Sequence, residues 1–172
     1  MKRFFAALVV TVLFIPVAFV QPAFSAQWER YVNPRFGASA EVPAHGFIAE
    51  PVPANNDGQI WKSADGRGSI AVYGSYMVVV DTFEQYRDFM LYAARSDGVE
   101  ITYNVGGRGW FVYSGYLGND IVYAKVVRSR NCAQTVVNHI YLQYPKSQKR
   151  RYDPIVTRLA KTLTNVSRKP CG

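Results

Sequence analysis

The chain has 172 residues, of which 49% are hydrophobic, 19% are charged and 15% are aromatic, with two cysteines and a formal net charge of +8. This composition excludes a disordered protein, a collagen-like protein and a small disulfide framework. The apolar residues are unevenly spread, because the segment Phe4–Val20 is almost wholly apolar and directly follows Lys2 and Arg3.

Residues 1–25 have the order of a secretory signal peptide. After the basic N-terminus and the apolar segment, Ala23 and Ser25 are the small residues expected at positions −3 and −1 of a signal-peptidase site after Ser25. We therefore expect a periplasmic or secreted protein with no transmembrane span after cleavage. An uncleaved membrane anchor is the alternative, although Pro16 breaks the apolar run, which is short for a span. Cleavage removes two of the 20 basic residues and none of the 12 acidic ones, which leaves a net charge of +6.

Residues 26–172 are enough for one domain, and no repeat or linker divides them. Runs of β-branched and aromatic residues alternate with Gly, Asn, Asp and Pro, which is typical of strands and turns. Because the turns are short, we expect consecutive strands to pair antiparallel. The predicted strands are Gly37–Val42, Phe47–Pro51, Gln59–Ser63, Ser69–Val80, Glu100–Asn104, Gly109–Tyr116, Asp120–Arg128 and Ala133–Tyr144.

A first helix is predicted after the fourth strand. Phe83, Tyr86 and Met90 recur at helical spacing, and the helix should end near Arg95. Asp81 is the predicted N-cap, because a glutamate follows three residues later.

A second helix is predicted at the end of the chain, with Asp153 as N-cap, Pro154 in the first turn and Leu163 at its end. The order is therefore a four-strand meander, a helix, a second meander and a terminal helix. It predicts an α+β fold in which helices flank an antiparallel β-sheet. In the last strand, we expect one face to be buried and the face that carries His139 and Gln143 to be partly solvent-exposed or more loosely covered.

The segment Asn33–Pro43, which reads NPRFGASAEVP, resembles the opening strand of the PsbP-like and DcrB-like proteins. The segment from Tyr152 to Leu163 resembles their closing helix, and the order of elements matches over nearly all of residues 26–172. The resemblance implies an α-β-α sandwich with helices on both faces of the sheet. It also implies a non-enzymatic role, since members of that fold are mostly accessory or binding proteins.

Cys132 and Cys171 are the only cysteines. An exported chain meets an oxidising compartment, so we expect them to form a disulfide. Closing this loop of about 40 residues would stabilise the fold by about 4 kcal/mol in the chain-entropy model. A reactive thiol beside His139 is the alternative, but a separation of seven residues along one strand places the two side chains on opposite faces.

We predict no catalytic, cofactor-binding or metal-ligating residues. The two histidines, His45 and His139, lie far apart in sequence, whereas a structural zinc site needs four ligands at characteristic spacing. Ser114 lacks the glycine that precedes a nucleophilic serine by two residues. We expect no nucleic-acid partner, because the chain is predicted to be exported and has no nucleic-acid-reading motif.

Two surface features are candidate binding sites. The basic segment formed by Lys146, Lys149, Arg150 and Arg151 could attract anionic surfaces, and a solvated loop is the alternative. Trp110 and Tyr116 flank the glycine turns, so we predict a binding edge there.

These observations predict an exported, non-enzymatic accessory or binding protein of the bacterial cell envelope, whose partner is an envelope component or another exported protein. Two alternatives stay open. One is an exported hydrolase with a site that the sequence does not reveal, and the other is a secreted factor that interacts with a host.

Overall fold

The computed structural model describes residues 27–78, 80–129 and 135–166. These ranges contain ten strands and two α-helices, and a 3₁₀ turn at Lys146–Gln148 leads into the second helix. The elements are β1 Trp28–Val32, β2 Ala38–Pro43, β3 Phe47–Ala49, β4 Gly58–Ser63, β5 Ser69–Tyr76, α1 Phe83–Ser96, β6 Glu100–Gly107, β7 Trp110–Leu117, β8 Asp120–Arg128, β9 Val136–Pro145, α2 Lys149–Thr162 and β10 Thr164–Asn165.

The strands form two antiparallel sheets. The large sheet has seven strands in the order β3-β4-β5-β9-β8-β7-β6, and the small sheet has three in the order β1-β2-β10. The central pair is β5 and β9, with Val72 opposite Ile140. The connection through α1 carries the chain from the centre of the large sheet to its far edge. The predicted α+β fold, with helices flanking an antiparallel sheet, is confirmed.

One face of the large sheet is covered by α1. The helix buries Phe83, Tyr86 and Leu91 against β7, β8 and β9. Its N-cap is Thr82 and not Asp81. The Thr82 hydroxyl accepts a hydrogen bond of 3.1 Å from the backbone N–H of Gln85, whose side-chain oxygen accepts one of 3.0 Å from the Thr82 N–H. The capping box therefore uses a glutamine, one residue later than the glutamate in the predicted box.

The other face is covered by α2 and β2. Leu159 and Tyr152 are fully buried there, and the Tyr152 ring stacks on Tyr144 with ring centroids 4.3 Å apart. The predicted start of α2 at Asp153 is wrong, since the helix begins one turn earlier at Lys149 and contains Pro154. Burial of Tyr152 explains the difference, because it requires a helical turn before the Asp-Pro pair.

The predicted four-strand meander is also wrong in one respect. The strand β2 pairs with β1 and β10, and the chain crosses to the large sheet at Gly46, whose φ is +80°. Ala38 and Ala40 are fully buried, so β2 lies flat against the large sheet. The sequence did not predict β1 or β10, because β1 is polar and half-exposed and β10 has only two residues.

The two faces of β9 are covered to different degrees, as expected. On the His139 face, Tyr141 and Gln143 are partly exposed, whereas Ile140 and Leu142 on the other face are fully buried. His139 itself is 2% exposed, because α1 packs over this side of the strand. In the described ranges, neither helix combines the length and apolarity that crossing a bilayer requires.

Candidate functional site

The helix α2 does not extend over β7 and β6, the last two strands at one edge of the large sheet. The helix packs over β9 and β8, whereas aromatic side chains on the same face of β6 and β7 are exposed. Residues opposite each other in an antiparallel pair share a face. The pairs Tyr103 with Ser114 and Val105 with Val112 therefore place the two strands' side chains together. We call this surface the open face. It is formed by Tyr103, Val105, Trp110 and Tyr116.

The structure places both residues of the predicted binding edge on the open face. Trp110 and Tyr116 are each 39% exposed and lie near opposite ends of β7. Six residues of extended chain separate them by about 20 Å, so they bound a surface and do not form one contact point.

Tyr103 is the residue of the open face that the sequence did not reveal. It is 53% exposed and lies directly after a β-bulge that shifts the register between Ile101 and Tyr103. A bulge reverses which side chains face the core. Strict alternation along β6 therefore could not assign Tyr103 to this face.

A cavity of about 660 Å³ lies at the Trp110 end of the open face. It is bounded by the ends of β7 and β8, by the small strand β10 and by the residue that follows α2. Three cationic side chains and no carboxylate line it among the described residues. The lining side chains include Arg108, Trp110, Lys125, Val127, Arg128 and Leu163.

Lys125 is the half-buried cation of this cavity. Its neighbours across the sheet are Val112 on β7 and Ile140 on β9, so its aliphatic stem lies over apolar surface. The ammonium donates a hydrogen bond of 2.6 Å to the carbonyl of Ala160 in the last turn of α2. Burial lowers the pKa of Lys125. A lysine between Ala124 and Val126 in an otherwise apolar strand is the sequence signal that could have identified it.

The other end of the open face carries a cation as well. The Lys146 ammonium lies 4.0 Å from the centroid of the Tyr116 ring, a cation–π geometry. The rest of the basic segment lies in the first turn of α2. There Lys149 pairs with Asp153 at 2.9 Å and Arg151 approaches Asp65 at 3.9 Å.

Arg150 is the remaining residue of the basic segment, and it makes no ion pair with any residue that the structure describes. Two of its neighbours are neutralised by carboxylates of the same chain, so the segment carries less unbalanced charge than the sequence indicates. The predicted disulfide partners, Cys132 and Cys171, lie outside the described residues.

A polar cluster of Ser75, Tyr86 and His139 lies under α1. The His139 Nε2 atom is 3.2 Å from the Ser75 hydroxyl and 3.3 Å from the Tyr86 hydroxyl, and the Tyr73 ring stacks on the imidazole at 4.4 Å. Burial lowers the pKa of His139 to about 3. The serine and histidine have the spacing of a nucleophile and a base, but neither residue lines the cavity beside Trp110. The cluster therefore joins α1 to the sheet.

Comparison with solved structures identifies the fold. The solution structure of cyanobacterial PsbP (CyanoP) from Synechocystis sp. PCC 6803 is similar, with a TM-score of 0.57 and 14% identity over 87% of this chain and 99% of that one. The Ran-binding protein Mog1p of Saccharomyces cerevisiae is similar, with a TM-score of 0.56 and 12% identity over 83% of this chain and 97% of that one. No protein-family model and no curated protein sequence matches the chain. The chain therefore has the fold shared by PsbP and Mog1, as the sequence resemblance to PsbP-like proteins predicted.

Proposed function

We propose that the protein is an exported, non-enzymatic binding protein of the bacterial cell envelope, and that it binds another exported protein through the open face. The observation that carries this proposal is the uncovered aromatic surface of β6 and β7. Tyr103, Trp110 and Tyr116 are all exposed there, on a face whose other half is covered by α2. Trp and Tyr are enriched among the residues that dominate binding energy at protein interfaces.

The charges around the open face indicate the chemistry of the partner. Lys146 lies at the Tyr116 end, and Arg108 and Lys125 lie at the Trp110 end. Cations that flank an aromatic centre favour a partner whose apolar anchor is surrounded by acidic residues. An acidic, partly apolar protein surface therefore fits the open face.

The fold and the N-terminal sequence give further support. Mog1p, which has the same fold, is a Ran-binding protein, so the fold is compatible with binding a protein partner. The signal-peptide pattern of residues 1–25 supports an exported partner.

Site-specific photo-crosslinking in cells tests the proposal. A photoreactive amino acid in place of Tyr103 should give one discrete adduct with an exported protein. The matched control is Tyr92, an exposed tyrosine on the outer side of α1, which is 70% exposed and on the opposite side of the molecule. The Tyr92 position should give no such adduct.

The adduct must also depend on the open face. A second substitution, Trp110→Ala, should abolish the crosslink from position 103, because it removes an aromatic anchor of the same open face. An adduct of equal yield at both positions, or one that survives Trp110→Ala, contradicts the proposal.

A further inference from the structure

The cavity beside Trp110 shares Trp110, Arg108 and Lys125 with the proposed partner-binding surface, and its concave shape also suits a small ligand. Lys125, Arg108 and Arg128 line it, and none of the three makes an ion pair with a residue in the described ranges. The lining contributed by these ranges contains no carboxylate. Three cations therefore share one concave site without an internal counter-charge.

The position of Lys125 is fixed by the fold. Val112 and Ile140 flank it across the sheet, and its ammonium is hydrogen-bonded to the Ala160 carbonyl. An ammonium group has three hydrogens and this bond uses one of them. The two others have no protein acceptor among the described residues, so they remain available at the cavity.

Capping of α2 is the structural explanation for Lys125. A basic side chain that bonds the last carbonyls of a helix is common and stabilising. Capping alone, however, requires one donor and explains neither the two unused hydrogens nor the adjacent guanidinium groups. Withdrawal of a charge from water is costly unless a counter-charge compensates it.

Arg108 and Trp110 supply two different kinds of contact at the same opening. The Arg108 guanidinium can pair bidentately with the oxygens of a phosphate or carboxylate. The Trp110 indole is 39% exposed and presents a flat apolar surface beside these cations. Arg128 is shared with a second cavity and lies over the Phe83 ring, so it contributes mainly long-range charge.

We propose that this cavity binds the phosphate or carboxylate group of a soluble small molecule through Lys125 and Arg108, with an apolar ring of that molecule against Trp110. This site shares Trp110, Arg108 and Lys125 with the proposed partner-binding surface, but its test is independent of the partner because it needs only the purified protein. Failure of the crosslinking experiment would leave it unaffected, and the reverse also holds.

Titration of the purified protein with four probes tests the site: inorganic phosphate, phenyl phosphate, benzoate and the neutral benzyl alcohol. Calorimetry gives the affinities, and the NMR shift of the Trp110 indole N–H reports the location. Phenyl phosphate should bind about three- to tenfold more tightly than inorganic phosphate, because its ring can stack on Trp110. Benzyl alcohol should not bind. The ratio of phenyl phosphate to benzoate affinity then identifies which oxyanion the site prefers.

Matched variants separate a built site from general basicity. Lys125→Gln should weaken phenyl phosphate binding about tenfold or more, because it removes a charged donor. Arg150→Gln removes the same charge outside the cavity and should leave the affinity unchanged. If Lys125→Gln fails to fold, Arg108→Gln on the exposed β6–β7 turn replaces it and should also weaken binding.

Three outcomes would overturn the proposal. They are the absence of saturable binding to the native protein, equal weakening by Arg150→Gln and the cavity variant, and no shift of the Trp110 indole signal at saturation. Displacement of phenyl phosphate by phosphatidylglycerol vesicles at equal phosphate concentration would overturn the assignment to a soluble ligand.

Discussion

The buried residue His139 makes the stability of the fold depend on pH. Its imidazole is 2% exposed, contacts the hydroxyls of Ser75 and Tyr86, and stacks on Tyr73. Removal from water lowers its pKa to about 3. The ring therefore stays neutral in the folded protein at pH values near 6.5, where an unfolded histidine takes up a proton.

The stability of the protein should consequently fall as the pH drops. An unfolded histidine has a pKa of about 6.5, so between that value and about 3 the unfolded chain binds one more proton than the folded chain at this site. Between pH 7.5 and pH 5 the free energy of unfolding should decrease by about 2 kcal/mol. Urea unfolding at the two pH values measures the difference.

The variant His139→Gln is the control for this pH dependence. It keeps a polar side chain but cannot be protonated in this range, so most of the decrease between pH 7.5 and pH 5 should disappear, whatever the absolute stability of the variant. A native protein whose stability is the same at both pH values would show that the buried imidazole is not held neutral.

The N-terminus of α1 is defined by its capping residue. Two candidate caps are adjacent in the sequence, and the geometry selects Thr82 over Asp81 because only the Thr82 hydroxyl accepts from the Gln85 N–H. The Gln85 side-chain oxygen accepts from the backbone N–H of both residues. The first turn therefore depends on Thr82 and Gln85 together.

Alanine substitution distinguishes the two caps. Thr82→Ala should lower the free energy of unfolding by about 1 kcal/mol, because it leaves a helix N–H without its acceptor. Asp81→Ala should lower it by less than half of that, through weaker interaction with the helix dipole. Chemical denaturation of the two variants measures both values. Equal losses, or a larger loss for Asp81→Ala, would contradict this assignment.

Local sequence patterns predicted most elements but not their partition into two sheets. The strands β4, β5, β7 and β8 and the helix α1 are encoded by periodicity and turn residues within a few positions, and the structure contains all of them. The pairing of β2 with β10 joins Ala38 to Asn165, and no local pattern encodes a contact over that separation. The start of α2 likewise depends on Tyr152 entering a core that distant strands form.

In the candidate site, too, local sequence patterns predicted some residues, whereas others depend on long-range structure. Trp110 and Tyr116 could be singled out because aromatic side chains next to turns are visible in the sequence. The alternation along β7 also placed both on one face. Tyr103 could not be singled out, since a bulge sets its orientation. Tyr103, Trp110 and Tyr116 are all exposed because α2 does not extend over β6 and β7, and this cannot be read from local sequence.

The disulfide predicted between Cys132 and Cys171 would connect segments that follow strands of the two different sheets. Arg128, four residues before Cys132, and Asn165, six residues before Cys171, line the same cavity. The chain segments that lead to the two cysteines therefore start from neighbouring points on the large and small sheets. This arrangement is compatible with the disulfide that the sequence predicts for an exported chain.

If the chain is exported as proposed, the protein isolated from that compartment should contain no thiol that reacts with iodoacetamide before reduction, and two that react after it. Cys132→Ser and Cys171→Ser should each destabilise the fold by a similar amount, up to about 4 kcal/mol, since either change removes the same cross-link. Mass spectrometry of the alkylated protein measures the thiols. Two reactive thiols in the unreduced exported protein would exclude the disulfide.

The affinity of the crosslinked partner for purified variants tests whether the open face is the binding surface. Trp110→Ala should weaken binding by about 30-fold or more, as expected for a buried aromatic anchor, and Tyr116→Ala should weaken it less. Tyr92→Ala on the opposite side should leave the affinity unchanged. If Trp110→Ala binds the partner as tightly as the native protein, or if Tyr92→Ala causes the larger loss, the partner binds elsewhere and the open face is not the binding surface.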